Sequence, residues 1–473
     1  MDSEKTNDKL SLKARIEQAT TAQWVKGIIA VVIYVLFIIW VNNFWWLLLT
    51  PFFFDVFVTK YVPWGWWKNI KNKTVRSIMG WVDAIVFALI AVYFIFAFLF
   101  QNYQIPTSSL EKTLLVGDFL AVSKAAYGPR VPMTPLSFPL AQHTLPIINT
   151  KSYIEKPQWE YRRLKGLTDI KLDDIVVFNF PTGDTVALKM QNPDYYTLCK
   201  IYGRERVRND EQTFGEIVYR PVDRRENYVK RCVGLPGNTF EIRSNQIYVN
   251  GVEQPKFPGI QHNYFIQTDG TVLSKDFLKK MEISNEDYEV FPNGMRQDVT
   301  AFFGFQQGKP VYHLPLTQET YDKLKRTRGV VKIEIEPAEF GGDVYPLNAD
   351  YGWNRDNYGP LYIPKKGDEL EITLENLPIY ERIITTYEKN KLEIKDGVIY
   401  INGEQATHYK VKMDYYWMLG DNRHKSADSR YWGFVPEDHV VGRPMFVWLS
   451  LDKDKGLFQG KIRWNRFFKN AKR

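Results

Sequence analysis

Residues 27 to 54 (GIIAVVIYVLFIIWVNNFWWLLLTPFFF) run without a charged side chain, and so do residues 84 to 101 (AIVFALIAVYFIFAFLFQ), just past Asp83. A helix needs about 20 apolar residues to cross a hydrocarbon core of ~30 Å, so both stretches predict membrane segments. Asn42-Asn43 interrupts the first, which is either one tilted span or a short hairpin. A soluble core helix of this length would carry a polar face, and a cleavable leader would be shorter and end at a small-x-small site. Neither pattern fits. Eight of the fourteen tryptophans lie in the first 81 residues, near the ends of these stretches, where indoles favour the membrane interface.

From residue 102 the period changes. Short alternating apolar runs separated by Gly, Pro and Asn, such as KLDDIVVFNFP at 171–181 and RPMFVWLSL at 443–451, predict strands. The segment EIRSNQIYVNGVEQ at 241–254 resembles EIKDGVIYINGEQ at 393–405. Each copy places an Asn-Gly pair (Asn250-Gly251, Asn402-Gly403) after a β-branched and aromatic run, the signature of a tight hairpin. Helical periodicity is confined to 274–281 and 317–326. The fold class is therefore mainly β, with two or three transmembrane helices in front of an antiparallel body.

Charge orients the chain. Lys60, Lys68, Lys71, Lys73 and Arg76 have no acid among them, so their loop is expected in the cytoplasm, and Lys5, Lys9, Lys13, Arg15 and Lys26 favour an inside amino terminus. The expected organisation is a basic cytoplasmic tail (1–26), a membrane segment (27–58), a basic cytoplasmic loop (59–81), a transmembrane helix (82–101) and an exported β-rich body (102–473). With 473 residues, 25% of them charged, and two cysteines, the composition excludes a disulfide scaffold and a globally disordered chain. The net charge is +8, and six basic residues without an acid lie in KIRWNRFFKNAKR at 461–473. On an anchored chain this composition fits docking on anionic lipid, with no nucleic acid implied; a solvated, frayed tail is the alternative. There is no Walker or dinucleotide loop, and the six histidines have no paired metal-ligand spacing. No cofactor and no metal are expected.

The chemistry gathers just beyond the membrane. Ser109 stands eight residues after Gln101, at most roughly 26 Å along an extended chain, in YQIPTSSLEKTLLVGD (103–118). Two further blocks follow, YVKRCVGLPG (228–237) and MLGDNRHKSADSRYWGFVP (418–436), the latter succeeded by Val441-Gly442-Arg443. With the 171–181 strand these segments resemble, in order, the conserved blocks of the type I signal peptidases, whose members also carry a membrane anchor. The resemblance implies a signal-peptidase-like antiparallel β fold with inserted subdomains, for which 128–168 and 255–390 are the candidates. It also implies a bacterial inner-membrane location with the catalytic domain on the outer, periplasmic side. Partners would be signal peptides of exported preproteins, cut after a small-x-small (Ala-x-Ala) site, together with the lipid bilayer and the export machinery.

Residue by residue, the resemblance makes Ser109 the nucleophile and Lys230 the general base of a Ser-Lys dyad. Thr107 supplies an oxyanion donor beside the Ser109 N–H, and Ser426 orients the lysine. Asp428 and Arg430 support the site. Tyr103, Ile105, Leu110, Leu114, Tyr228 and Val229 line shallow apolar substrate pockets. A lysine works as a base only when its amine is neutral; bringing its pKa from ~10.4 to ~8 means disfavouring the charge by roughly 3 kcal/mol, which burial supplies. The chain departs from the family at Ser108 (for Gly), Lys112 (for Pro) and His424-Lys425 (for Asp-Asn). Ser108 as the nucleophile, a Ser-His-Asp hydrolase built on Ser109, His424 and Asp428, and an inactive membrane-tethered binding or assembly protein of the same fold are the rival readings. Cys199 and Cys232 would meet an oxidising compartment, either paired or as unpaired small hydrophobes.

Overall fold

The computed structural model describes residues 11–145, 148, 150–284, 287–456 and 458–471. The basic residues Lys5, Lys9, Lys472 and Arg473, used above, lie outside them. The chain divides into two compact units, one up to Phe96 and one from Ala97.

In the first unit a capping box between Thr20 and Gln23 starts the helix Thr21–Val41. The helix ends where Asn42 turns left-handed at φ 50°, a conformation that asparagine tolerates. Short helical turns over Phe44–Thr59 then run back along it. Tyr34 OH donates to Trp46 O at 2.5 Å, the Tyr34 and Phe53 rings are 4.3 Å apart, and a Cβ on Gly27 would lie 2.6 Å from Val58. The first apolar stretch is thus a helical hairpin with its bend at Asn42-Asn43. The next helix, Lys73–Leu99, begins at Asn72, whose side chain accepts from the Thr74 and Val75 amides. It takes in part of the expected 59–81 loop and stops before Phe100, because the cap sets its start, whereas hydropathy marks only its apolar stretch. Thr21–Val41 and Lys73–Leu99 are both long and apolar enough to cross a membrane.

The second unit is mostly β. Its largest sheet has seven antiparallel strands in the order Phe100–Gln104, Asp118–Ser123, Val440–Ser450, Ile175–Asn179, Asn227–Gly234, Tyr415–Leu419, Val435–Pro436. Bulges at Phe119/Leu120, Ala121/Val122 and Val440/Gly442 curl it. The strand Ile175–Asn179 is buried along its whole length, as expected where both faces are covered. Ile175 and Val177 join Ile105, Leu110, Leu114 and Leu120 in one core cluster, while Val176 and Phe178 join Met418 and Trp432 in another. This alternation decides which side chains reach the site.

The two similar segments fold alike. Thr239–Arg243, Gln246–Val249 and Val252–Glu253 form one three-stranded meander, and Leu392–Lys395, Val398–Ile401 and Glu404–Gln405 form the other. Their Asn-Gly turns have φ 52° and 75° in the first and 54° and 89° in the second, the left-handed pair that selects these residues. The described residues of 128–168 are irregular and joined by isolated bridges such as Ser137↔Tyr153. Residues 255–390 do not behave as one insertion. His262–Thr268, Glu289–Phe291, Val311–Leu316 and Val330–Ile335 build a separate four-stranded sheet with its own core around Ile266, Leu314 and Leu324. Tyr358–Tyr362 instead pairs with Thr239–Arg243, and Leu377, Ile383 and Ile384 enter the main core.

Helix also occurs beyond the two expected pieces, notably at Tyr195–Tyr202, Arg204–Asn209 and Glu211–Phe214. These are too short for a 3.6-residue period to register; the Asp194 and Asp210 side-chain caps set two of them. The carboxyl end is fixed as far as it is described, which corrects the frayed-tail reading. Arg466 is buried against Asp118 at 2.5 Å, and Phe446 bridges to Asn470. Trp464 and Phe468 remain 71% and 75% exposed.

Candidate active site

The Ser109 turn is built by three local facts. The ladder ends at Ile105, whose N–H donates to Asp118 O at 2.8 Å and whose carbonyl accepts from Gly117 N at 2.9 Å. Pro106 then breaks the pairing, and Thr107 is extended at φ −128°, ψ 158°. A single 3₁₀ turn follows at Ser108–Leu110, whose leading amides have no acceptor inside the turn. Leu110 and Leu114 are 1% exposed and sink into the core cluster below. Burying one such leucine stabilises by about 1.5–3 kcal/mol, enough to hold the turn in place.

Lys230 lies on Asn227–Gly234, opposite Val176 on the neighbouring strand. Its Nζ donates to Ser109 Oγ at 2.6 Å, and both side chains are buried. The amine also sits 5.6 Å from the Tyr228 ring centroid, a ring stacked on Phe180. Burial lowers the Lys230 pKa to about 8, with Asp428 and Asp421 opposing the shift. An amine that is largely neutral just above that pH, at hydrogen-bond distance from a hydroxyl, can take the hydroxyl proton.

The segment 420–430 closes the site from the other side. A Cβ on Gly420 would fall 2.2 Å from Ser426 Oγ and 2.6 Å from Ser109 O, so only glycine fits there. Asn422 N donates to Ser109 O at 3.0 Å. Asp421 accepts two hydrogen bonds from Arg231, at 2.8 and 2.6 Å, and one from Thr113 at 2.7 Å, joining this segment to the Lys230 strand and the serine turn. Asp428 and Arg430 form a buried pair at 2.8 Å, and Asp428 also accepts from Gly420 N at 3.2 Å. Sequence reasoning missed Asp421, Arg231, Gly420 and Asn422 as working residues, although all four lie inside the quoted blocks. Their signal was charge and glycine at core positions, which shows only once the strands are paired.

Ser426 departs from expectation. Its Oγ is buried beside Gly420 and the Ser109 carbonyl but makes no hydrogen bond among the described residues, so in this structure it does not hold Lys230. His424 does not face Ser109 either. Its Nδ1 accepts from Asn263 N at 3.3 Å and its Nε2 pairs with Asp356 at 3.1 Å, which removes the basis for a Ser-His-Asp relay through Asp428. Lys425 pairs with Asp287 at 2.7 Å. Both cysteines are free.

A cleft of about 570 Å³ runs past the pair. Tyr103, Ile105, Thr107, Ser108, Ser109, Tyr228, Val229 and Lys230 line it, as does Ala427. Leu110 and Leu114 do not, a correction: Leu110 at the end of the 3₁₀ turn and Leu114 four residues on, whose N–H donates to Leu110 O at 2.8 Å, both pack into the core cluster. Phe180, Val186, Tyr195 and Glu226 also line it; of these Tyr195 begins the short helix capped by Asp194, an element that the sequence did not suggest.

Comparison with known proteins agrees with this architecture. Residues 78–294 and 366–449, more than half of the chain, match the family described as signal peptidase, peptidase S26. The chain is similar to the signal peptidase I of Buchnera aphidicola, 24% identical over 407 residues covering 84% of this chain and 82% of the relative. It is also similar to those of Haemophilus influenzae, 23% identical over 85% of this chain and 78% of the relative, and Helicobacter pylori, 20% over 84% and 95%. The curled antiparallel sheet, preceded by two helices apolar enough to cross a membrane, agrees with this class of peptidase, and the chain belongs to the signal peptidase (peptidase S26) family. The unmatched stretch 295–365 carries two strands of the separate four-stranded sheet, Val311–Leu316 and Val330–Ile335.

Proposed function

We propose that this protein removes signal peptides from exported preproteins by a Ser109-Lys230 dyad. The observation that carries the reading is the 2.6 Å contact between Lys230 Nζ and Ser109 Oγ at the wall of an open cleft. Ser109 Oγ attacks the scissile carbonyl while Lys230 takes its proton. The oxyanion is received by the Ser109 N–H and the Thr107 hydroxyl, both at the cleft. The lysine ammonium then protonates the departing amine, which leaves as the new amino terminus of the mature protein. The neutral amine next takes a proton from water, the resulting hydroxide equivalent attacks the ester carbonyl, and as the bond to Ser109 Oγ breaks the ammonium returns the proton to that oxygen and the signal peptide leaves. Asp428 and Arg430 keep the segment behind the dyad rigid.

An extended substrate lying along 105–109 adds backbone hydrogen bonds to contacts with Tyr103, Ile105, Tyr228 and Val229. The walls near Ser109 suit small side chains at the first and third positions before the cut. In this reading the loop between the two apolar regions is cytoplasmic and the β-rich unit lies on the outer face of the inner membrane. The exposed Trp464 and Phe468, beside Lys461, Arg463 and Lys469, suit an anionic lipid surface. The test is product mapping. The full chain in detergent is given a preprotein ending its leader in Ala-x-Ala, and the fragments are weighed by mass spectrometry. Cleavage directly after the second Ala, abolished when that Ala becomes Ile, supports the reading; cleavage elsewhere, or indifference to Ile, contradicts it.

A further inference from the structure

Resting on that reading, we infer that Asn422 is a positioning residue that aims the oxyanion donor. In a trans peptide the carbonyl and the N–H of one plane point in opposite directions. The plane that carries the Ser109 N–H carries the Ser108 carbonyl, and Asn422 Nδ2 donates to Ser108 O at 3.4 Å. The same oxygen accepts from Glu111 N at 3.0 Å within the 3₁₀ turn, and Asn422 adds a second donor that holds the carbonyl on its side, so the Ser109 N–H of that plane points the opposite way, toward the cleft that both serines line. The following plane is fixed by the same residue, whose backbone N–H donates to Ser109 O at 3.0 Å. One residue thus contacts both peptide planes flanking the nucleophile, adding to the turn's own hydrogen bond on the first.

A second observation points the same way. Asn422 is fully buried, and among the described residues its Oδ1 has no hydrogen-bond partner. Leaving a buried amide donor without a partner costs about 1–3 kcal/mol, and Ser108 O supplies one to Nδ2. Nδ2 donation to Ser108 is what the amide accomplishes there. Asn422 is in turn held on both sides by the segment that leads into the four-stranded sheet. Gln261 N donates to Asp421 O at 2.9 Å, and Arg423 N donates to Gln261 O at 2.8 Å, in a parallel bridge opposite Asn422. The inserted sheet therefore braces the residue that positions the oxyanion donor.

The test compares wild type with Asn422→Asp, nearly isosteric but without the donor, and with Asn422→Ala. Preprotein cleavage by the full chain in detergent gives kcat and KM separately. Binding of a peptide aldehyde, whose adduct with serine places an oxygen where the oxyanion forms, is measured beside binding of the matching unreactive peptide. A full donor loss costs roughly 100- to 1000-fold, so a mis-aimed donor is expected to lower kcat roughly 10- to 100-fold and aldehyde affinity in parallel. KM and affinity for the unreactive peptide should stay within about twofold, because binding before the chemical step does not use this N–H. If Asn422→Asp does not fold by thermal unfolding, Asn422→Ala is read in its place. Wild-type kcat in the folded variant overturns the inference, as does a loss shared equally by the unreactive peptide. Retained cleavage by Ser109→Ala is a different outcome, because it overturns the dyad reading itself.

Discussion

Replacing Lys230 by methionine should abolish cleavage and yet stabilise the fold. The charged amine is disfavoured by burial, which lowers its pKa from 10.5 to about 8; at 1.36 kcal/mol per unit this is a cost of roughly 3 kcal/mol. Above pH 10.5 the amine is neutral in both the folded and unfolded states and there is no cost. As pH falls, the unfolded chain takes up a proton that the folded one resists, so the cost grows down to about pH 8 and is complete below it. Methionine keeps an unbranched stem without the charge. It also forfeits the hydrogen bond to Ser109, worth about 1 kcal/mol. The variant should therefore be more stable by about 2 kcal/mol at pH 7, and by nothing, or slightly less stable, near pH 10.5. The assay is thermal unfolding of the full chain in detergent at both pH values, where the difference corresponds to a few degrees in Tm. A variant that is less stable at pH 7, or a difference that ignores pH, would refute the claim that Lys230 is held neutral by burial.

The same shift predicts that kcat/KM for preprotein cleavage rises with pH through about 8, since only the neutral amine accepts the serine proton; a flat profile from pH 6.5 to 9 would count against it. Thr107→Ala removes the hydroxyl beside the Ser109 N–H and should slow kcat roughly 100-fold with little change in KM, read by steady-state kinetics; equal activity would remove Thr107 from the mechanism. His424→Asn breaks the contacts to Asn263 and Asp356 and should lower stability by about 1–3 kcal/mol while cleavage persists, as measured by unfolding and turnover on the same preparation.

How far the sequence reveals this protein depends on the range of the interaction. The membrane helices and the Asn-Gly turns are legible because hydropathy and positive φ act on consecutive residues. The Ser109-Lys230 contact is not local, as 120 residues separate the partners, and it became visible only through the order of motifs. The helix start at Asn72 and the short helices after Asp194 and Asp210 escaped because single capping side chains set them, with too few turns to build a period. Leu110 and Leu114 were misplaced on the cleft, since the tight turns over 108–114 send neighbouring residues to opposite sides and the sequence does not say which is inward. Nothing along the chain marks Arg231, Asp421 and Asn422 as buried, and their burial appears only when the Lys230 strand pairs with Tyr415–Leu419. The Ser426 contact illustrates the limit of a resemblance, because the serine is in place at the site but its hydroxyl is not bonded to the lysine.

The central claim is that Ser109 and Lys230 together perform the chemistry. The most direct test is cleavage of one preprotein, in detergent, by wild type, Ser109→Ala, Ser108→Ala and Lys230→Ala, each shown to be folded by thermal unfolding. The account predicts loss of cleavage in Ser109→Ala and Lys230→Ala and retained cleavage in Ser108→Ala. Normal cleavage by either of the first two would contradict it.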